Sequence, residues 1–213
     1  MTLKNLFFDL DGTVVESSTG IINGFRYAFD KLNFPQLPDD TLNTFIGPPL
    51  EATFQSLSKG DLVWAEKATS IYREYYAQKG MLEAEPYPGM VQTLTQLKAL
   101  DYQLYIATSK KEDVAIKMLN SLGLDHHFQG IFGSTPQTPT KTLVLQHAMR
   151  TTNSAAAHSV MIGDRDYDII GGQNNHVAKT IGVLWGFGGI TELENAGTDL
   201  IIDHPKQLLE CVK

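Results

Sequence analysis

The sequence predicts an α/β fold: a three-layer, Rossmann-like core with a parallel sheet, plus an inserted α-helical cap. Short apolar runs alternate with helical segments of about ten residues, a pattern typical of a parallel sheet covered by helices on both faces. Between the first two of these runs, residues 17–80 carry only helical periodicity. Because a crossover between two parallel strands needs only one helix, the additional helices predict a separate subdomain.

Five strands are predicted from short apolar runs that lack helical periodicity. They are Leu6–Leu10, Tyr102–Ala107, Ser159–Ile162, Thr180–Leu184 and Leu200–Ile202. Two core helices, Val91–Leu100 and Val114–Leu122, carry apolar residues at helical spacing. Gly123 follows the second of them directly and is predicted to be its C-terminal cap.

The predicted cap contains three apolar stripes at helical spacing. They lie within residues 21–32, 50–57 and 68–75. Pro86, Pro88 and Gly89 mark the return of the chain to the core. We therefore expect a catalytic core domain of residues 1–15 and 84–213 and an α-helical cap domain of residues 16–83.

The composition argues against a polyanion or a membrane as partner. The 213 residues carry a formal net charge of −7, which disfavours a nucleic-acid polymer. The single cysteine, Cys211, cannot form an intramolecular disulfide, which fits a reducing compartment. The N-terminal segment MTLKNLFFDL meets charge too soon for a signal peptide, and no apolar run approaches the roughly 20 residues of a membrane helix. We expect a cytoplasmic monomer or homodimer.

Polar residues follow three of the predicted strands. They are Asp9 and Asp11 after the first strand, Thr108, Ser109 and Lys110 after the second, and Asp164, Asp166 and Asp168 after a later one. Ligands of open parallel sheets bind beyond the carboxyl ends of the strands, so we expect these side chains to share one site. Clustered carboxylates require a cation, and a set of oxygen ligands favours Mg²⁺.

This set of residues is suited to phosphoryl transfer. Asp9 is ionised at neutral pH if its pKa is near about 4, so it can attack as a nucleophile without a separate base. A second carboxylate, Asp11, can protonate the leaving oxygen and later accept a proton from water. Thr108 and Lys141 can bind phosphoryl oxygens through a hydroxyl, nearby backbone N–H groups and a positive charge. Gly12 permits a sharp turn after the acids.

The segments DLDGT, TSK and GDRDYD, together with Lys141, occur in the order and approximate spacing of four known motifs. By these motifs the chain resembles the haloacid dehalogenase-like superfamily of phosphatases over nearly its whole length, with a C1-type cap after the first motif. The resemblance implies a role for each of six residues. Asp9 is the nucleophile, Asp11 the general acid/base, Thr108 and Lys141 bind the phosphoryl group, Asp164 binds Mg²⁺ with Asp9 and the Asp11 carbonyl, and Asp168 supports the metal site.

Four further segments indicate a branch of the superfamily. FIGPPLEATF, YPGM, LYIATSK and GVLWGFGG resemble the phosphoglycolate phosphatase-like branch and a subgroup labelled 5′-nucleotidase-like. This implies a small phosphorylated metabolite as substrate and a cap loop that helps to select it. The predicted substrate-binding residues are Gly12, Thr13, Gly47, Pro48, Ser109 and Lys110. One departure is local, because the segment STPQTPTKTLVL differs from the usual surroundings of the motif lysine.

Several alternatives stay open at this stage. The substrate can be phosphoglycolate, a nucleoside monophosphate, pyrophosphate or a sugar phosphate, since all fit the same phosphoryl site. A phosphosugar mutase would use the same residues. A dehalogenase would not need Asp11 as a proton donor, and a phospho-receiver domain carries its phosphorylated aspartate after a later strand. A binding protein without activity has little support, because no motif position is lost.

Overall fold

The computed structural model describes residues 3–213. The chain divides into two compact units, one formed by Ser17–Glu85 and the other by the preceding residues together with Pro86–Lys213. Within residues 3–213, no helix is both long enough and apolar enough to cross a membrane. The larger unit is an α/β core and the smaller one is helical.

The strands form one six-stranded parallel sheet and one short two-stranded sheet. In chain order they are β1 (Asn5–Phe8), β2 (Val15–Glu16), β3 (Glu85–Pro86), β4 (Gln103–Lys111), β5 (Gly130–Ser134), β6 (Ser159–Gly163), β7 (Lys179–Val183) and β8 (Leu200–Ile202). The large sheet has the order β5-β4-β1-β6-β7-β8, and β2 pairs with β3. Each neighbouring pair in the large sheet runs parallel.

Helices connect the strands and make up the smaller unit. They are α1 (Ser18–Lys31), α2 (Asp39–Asn43), α3 (Leu50–Leu57), α4 (Leu62–Gln78), α5 (Met90–Ala99), α6 (Glu112–Ser121), α7 (Lys141–Thr151), α8 (Asp166–Asn174), α9 (Ile190–Asn195) and α10 (Leu208–Cys211). Short 3₁₀ turns lie at Gly80–Leu82, Asp125–His127, Ala156–His158 and Pro205–Gln207.

Strand β1 is the centre of the sheet and the place where the direction of strand addition reverses. The chain builds β4 and β5 on one side of it and β6, β7 and β8 on the other. Phe7 pairs in register with Tyr105 on β4 and with Met161 on β6. Such a switch point leaves a crevice at the carboxyl ends of the strands, which is where ligands bind in this class of sheet.

The apolar face around Phe7 holds helix α7 against the sheet. The Phe7 and Tyr105 rings stack with their centroids 5.0 Å apart. Val144 and Leu145 of α7 belong to the same buried cluster. This packing matters for the site, because it fixes the helix whose first residue is Lys141.

The smaller unit packs around aromatic side chains. Phe25 of α1 lies 5.2 Å from Phe54 of α3 and 5.0 Å from Tyr72 of α4, measured between ring centroids. Gly24 lies against the same tyrosine, and a Cβ at that position would come within 2.6 Å of the ring. A larger residue at position 24 would therefore displace the Tyr72 ring.

The predicted fold class is confirmed, and several element boundaries differ from the predictions. β1 ends at Phe8 because Leu10 accepts three backbone hydrogen bonds from the turn that follows it, from Thr13, Val14 and Val15. β5 was not predicted, because Gly-Ile-Phe-Gly-Ser has only two large apolar residues. Its strand conformation depends on pairing with β4.

Candidate active site

Three strands end side by side at the switch point and carry the first polar residues of the site. Asp9 directly follows β1, Thr108 lies near the end of β4, and Asp164 directly follows β6. The backbone N–H of Asp9 donates to the carbonyl of Ile162 at 2.9 Å, which continues the strand pairing by one residue. Asp9, Thr108 and Asp164 are all buried.

The turn after Asp11 packs closely against Asp164. Gly12 has a φ of +87°, and a Cβ there would lie 2.4 Å from Oδ2 of Asp164. The hydroxyl of Thr13 donates to Oδ1 of Asp164 at 3.2 Å. Both the backbone conformation and the available space therefore require glycine at position 12.

The loop after β7 closes around the other side of Asp164. The N–H of Phe187 donates to Oδ2 of Asp164 at 2.8 Å, and the indole of Trp185 donates to the carbonyl of Thr13 at 2.9 Å. A Cβ on Gly186 would lie 2.2 Å from the carbonyl oxygen of Gly12. The sequence predictions did not include this loop among the site residues, although its closely spaced glycines are the signal of a close backbone approach.

Lys141 is a buried cation of the site. Thr140 caps the start of α7, with its hydroxyl accepting a hydrogen bond from the N–H of Leu143 at 3.4 Å. The ammonium of Lys141 lies 2.6 Å from Oδ1 of Asp9 and 2.8 Å from Oδ1 of Asp168, and it donates to the carbonyl of Ala107 at 2.9 Å. Four segments far apart in sequence therefore meet at this one side chain.

Asp168 is positioned by the first turn of α8. Its Oδ2 accepts a hydrogen bond from the backbone N–H of Arg165, the N-cap residue of α8, at 3.1 Å. Arg165 also donates through Nε to Glu192 at 2.7 Å, and Glu192 accepts from the N–H of Asp166 at 3.0 Å. These contacts hold the loop between β6 and α8, and they give Arg165 and Asp166 a structural position beside the acids.

Asp9, Asp164 and Asp168 form one buried cluster. Each contributes a carboxylate oxygen, and these oxygens lie within 4.8 Å of one another. Burial raises the pKa of Asp164 well above its ordinary value, and the charges of Asp168 and Asp9 raise it further. Burial also raises the pKa of Asp168, to about 7, although the charge of Lys141 opposes this shift. Burial lowers the pKa of Lys141, but the charges of Asp168 and Asp9 outweigh it and raise the pKa above its ordinary value.

This cluster fits a divalent cation. The cluster places three carboxylates and one lysine in a buried position. Burial is the main cause that raises the pKa of Asp164 and of Asp168, and the neighbouring carboxylates add to it. The donor atoms are all oxygens, which suits a hard cation such as Mg²⁺. Lys141 offsets part of the negative charge through its ion pairs with Asp9 and Asp168, and a metal ion would be held by Asp9, Asp164 and Asp168.

Four other predicted site residues, Asp11, Thr108, Gly47 and Pro48, lie outside the carboxylate cluster. The carboxylate of Asp11 is outside the cluster and pairs with the ammonium of Lys110 at 2.8 Å. The hydroxyl of Thr108 accepts from the N–H of Lys110 at 3.2 Å. Gly47 and Pro48 lie in the smaller unit between α2 and α3, where Gly47 has a φ of +106°.

The switch-point sheet and the carboxylate cluster with its buried lysine define a class of hydrolases. A model of the haloacid dehalogenase-like hydrolase family matches residues 6–183, and the chain belongs to this family. The resemblance noted in the sequence is thereby confirmed.

Two curated relatives and a solved structure are similar to the chain over most of its length. It is 36% identical to a 5′-nucleotidase of Pseudomonas aeruginosa, over 89% of this chain and 86% of that protein. It is 31% identical to the tyrosine-protein kinase PtkA of Mycobacterium tuberculosis, over 92% of this chain and 67% of that protein. A haloacid dehalogenase-like family hydrolase from Streptococcus pneumoniae superposes with a TM-score of 0.93 at 37% identity, over 99% of both chains.

Proposed function

We propose that the protein is a Mg²⁺-dependent phosphatase that hydrolyses small phosphate monoesters through an aspartyl-phosphate intermediate. The observation that carries this proposal is the buried contact between Lys141 and Asp9, 2.6 Å long, inside a cluster with Asp164 and Asp168. This contact holds the Asp9 carboxylate beside a positive charge at the end of β1. An ionised carboxylate is a nucleophile that needs no base to activate it.

In the first step, Asp9 attacks the phosphorus atom of the substrate. A bond forms between a carboxylate oxygen and phosphorus while the ester bond to the leaving oxygen breaks. Asp11 gives a proton to that oxygen, so the product leaves as a neutral alcohol. Lys141 keeps the nucleophile in place, and we propose that the hydroxyls of Thr108 and Ser109, near the end of β4, donate to phosphoryl oxygens.

In the second step, water releases the phosphate. Asp11, now ionised, takes a proton from the water, and the resulting oxygen attacks phosphorus and displaces the Asp9 carboxylate. Asp9, Asp164 and the backbone carbonyl of Asp11 would hold Mg²⁺, and Asp168 would support them. When bound, the ion neutralises the repulsion between these carboxylates and the dianionic phosphoryl group.

The proposed substrate is a small phosphorylated metabolite, and phosphoglycolate-like monoesters are the first candidates. The similarity to a 5′-nucleotidase supports including nucleoside 5′-monophosphates. We further propose that Gly47 and Pro48 take part in substrate selection. A Pro48→Ala variant should then change the order of preference among substrates while p-nitrophenyl phosphate turnover stays within about threefold of wild type.

A screen of phosphate compounds with Mg²⁺ tests the substrate class. It contains phosphoglycolate, nucleoside 5′-monophosphates, pyrophosphate, hexose phosphates, and ATP with and without a tyrosine peptide. Release of inorganic phosphate from the monoesters supports the proposal. A rearranged hexose phosphate without free phosphate would indicate a mutase. Transfer of a phosphoryl group from ATP to the tyrosine peptide would indicate a tyrosine kinase activity, which is the activity in the name of the mycobacterial relative.

The catalytic assignment is tested with Asp9→Asn. The variant loses the negative nucleophile, and we expect p-nitrophenyl phosphate turnover to fall by more than about 1000-fold. Turnover by the wild type should also stop when EDTA removes Mg²⁺ and return when the ion is added back. Asp113→Asn, which removes an exposed carboxylate from α6, is the matched control and should retain full activity. Undiminished turnover by Asp9→Asn would refute the assignment.

A further inference from the structure

Lys110 lies in a bulge at the end of β4. Ala107 pairs with Phe132 of β5 and Lys111 pairs with Ser134, so the segment 108–110 stands opposite Gly133 alone. A Cβ on Gly133 would lie 2.7 Å from the carbonyl oxygen of Lys110, so the bulge packs tightly against its neighbour. Bulges beside active sites redirect side chains, and this one directs Lys110 towards the end of β1.

The ammonium of Lys110 contacts both carboxylate oxygens of Asp11. The distances are 3.0 Å to Oδ1 and 2.8 Å to Oδ2, and only about a tenth of each side chain is exposed. Contact with both oxygens restricts rotation of the carboxylate, and low exposure reduces screening by solvent. The backbone of Lys110 is itself held, because its N–H donates to the hydroxyl of Thr108.

We infer that Lys110 is a positioning residue for the general acid/base, with Asp11 as its partner. The inference rests on the proposed function, and it gives Lys110 a role different from the substrate contact predicted from the sequence. A proton donor must lie within about 2.6–3.2 Å of the leaving oxygen, so a free rotation of Asp11 would place it there only part of the time. Lys110 transfers no proton. The protonated form of Asp11 gives its proton to the leaving oxygen in the first step, the ionised form takes one from the attacking water in the second, and Lys110 keeps its own throughout.

The inference predicts an effect that depends on the leaving group. An alkyl phosphate needs protonation of its leaving oxygen, whereas p-nitrophenolate leaves without it. Lys110→Met should lower kcat/KM for an alkyl phosphate such as glycerol phosphate by about 10- to 100-fold, and for p-nitrophenyl phosphate by less than about threefold. Lys110→Arg, which can also contact both oxygens, should recover most of the loss. Lys111 is the exposed neighbour of Lys110. Lys111→Met removes a charge of the same kind, and its kcat/KM for both substrates should match that of the wild type.

A double-mutant cycle separates positioning from substrate binding. In an Asp11→Asn background, Lys110→Met should cause no further loss on the alkyl phosphate, because the group that it positions is already gone. Lys110→Gln must show the same pattern as Lys110→Met. A KM that rises equally for both substrates, or a further loss in the Asp11→Asn background, would overturn the inference. If the wild-type protein hydrolyses neither substrate, both the proposed function and this inference fail. If the wild-type protein hydrolyses both substrates and Lys110→Met has the same kcat/KM for each, only this inference fails.

Discussion

At the scale of single residues, Lys141 decides how the site is held together. Its ammonium is buried and contacts carboxylates from two different segments, Asp9 and Asp168. A buried cation among carboxylates is costly to remove, because each partner then loses the charge that offsets its desolvation. The sequence singled out Lys141 by its motif position, but its contact with Asp168 requires the fold, since both residues come from the first turns of separate helices.

Replacing Lys141 with methionine should destabilise the protein in the absence of Mg²⁺. Methionine has a similar length and no charge, so Asp9 and Asp168 lose their partner in a buried place. We expect the free energy of unfolding to fall by about 3–5 kcal/mol, measured by urea denaturation, together with a loss of turnover. Lys117→Met, on the exposed side of α6, should stay within about 0.5 kcal/mol of wild type. A Lys141→Met protein as stable as the wild type would show that the ion pairs contribute nothing.

At the scale of elements, predictions succeeded where a segment carries its own pattern. The apolar runs of β1 and β6 and the stripes of α1 and α4 were visible in the sequence, because their periodicity reflects burial directly. β5 was not predicted as a strand. The GFGG stretch was interpreted as a turn that could line the site, but none of its residues was predicted as a site residue. Their conformation follows from the neighbours that they contact, β4 in one case and Asp164 in the other.

The loop after β7 can be tested through its glycines. In Gly186→Ala, the new Cβ would lie 2.2 Å from the carbonyl oxygen of Gly12 and 2.4 Å from Cβ of Asp164, and neither atom can move aside alone. We expect a loss of about 1–3 kcal/mol in the free energy of unfolding and weaker Mg²⁺ binding. Gly189→Ala is the control, because no atom lies within 4 Å of a Cβ at that position. Equal behaviour of the two variants would contradict the described packing.

The 3₁₀ turn Asp125–His127 gives a prediction on pH. Burial lowers the pKa of His127, and the positive charges of His126 and Lys98 lower it further, against the opposing charge of Asp125. The unfolded chain therefore binds a proton at a higher pH than the folded one, so stability is lost as the pH falls below about 6.5. His127→Gln should make the free energy of unfolding depend less on pH between about 7.5 and 5.5. A His127→Gln protein whose stability depends on pH as strongly as that of the wild type would contradict this account.

At the scale of the whole molecule, the site exists because of the strand order. Asp9, Asp164 and Asp168 come from distant parts of the chain and converge because β1 and β6 are neighbours. The general rule for open parallel sheets was enough to predict that the polar ends of the strands share a site. It was not enough to show that the carboxylate of Asp11 points to Lys110, because the bulge in β4 that directs Lys110 has no signal in the sequence.

The central claim is that Asp9 carries the phosphoryl group between the two steps. The direct measurement uses Asp11→Asn, which should accumulate the intermediate from p-nitrophenyl phosphate because the base for the second step is missing. After acid quenching and digestion, mass spectrometry should find one phosphoryl group on the peptide that contains Asp9, and none when Asp9 is also replaced by Asn. A phosphoryl group on a serine, threonine, tyrosine or histidine of the quenched enzyme would contradict the account.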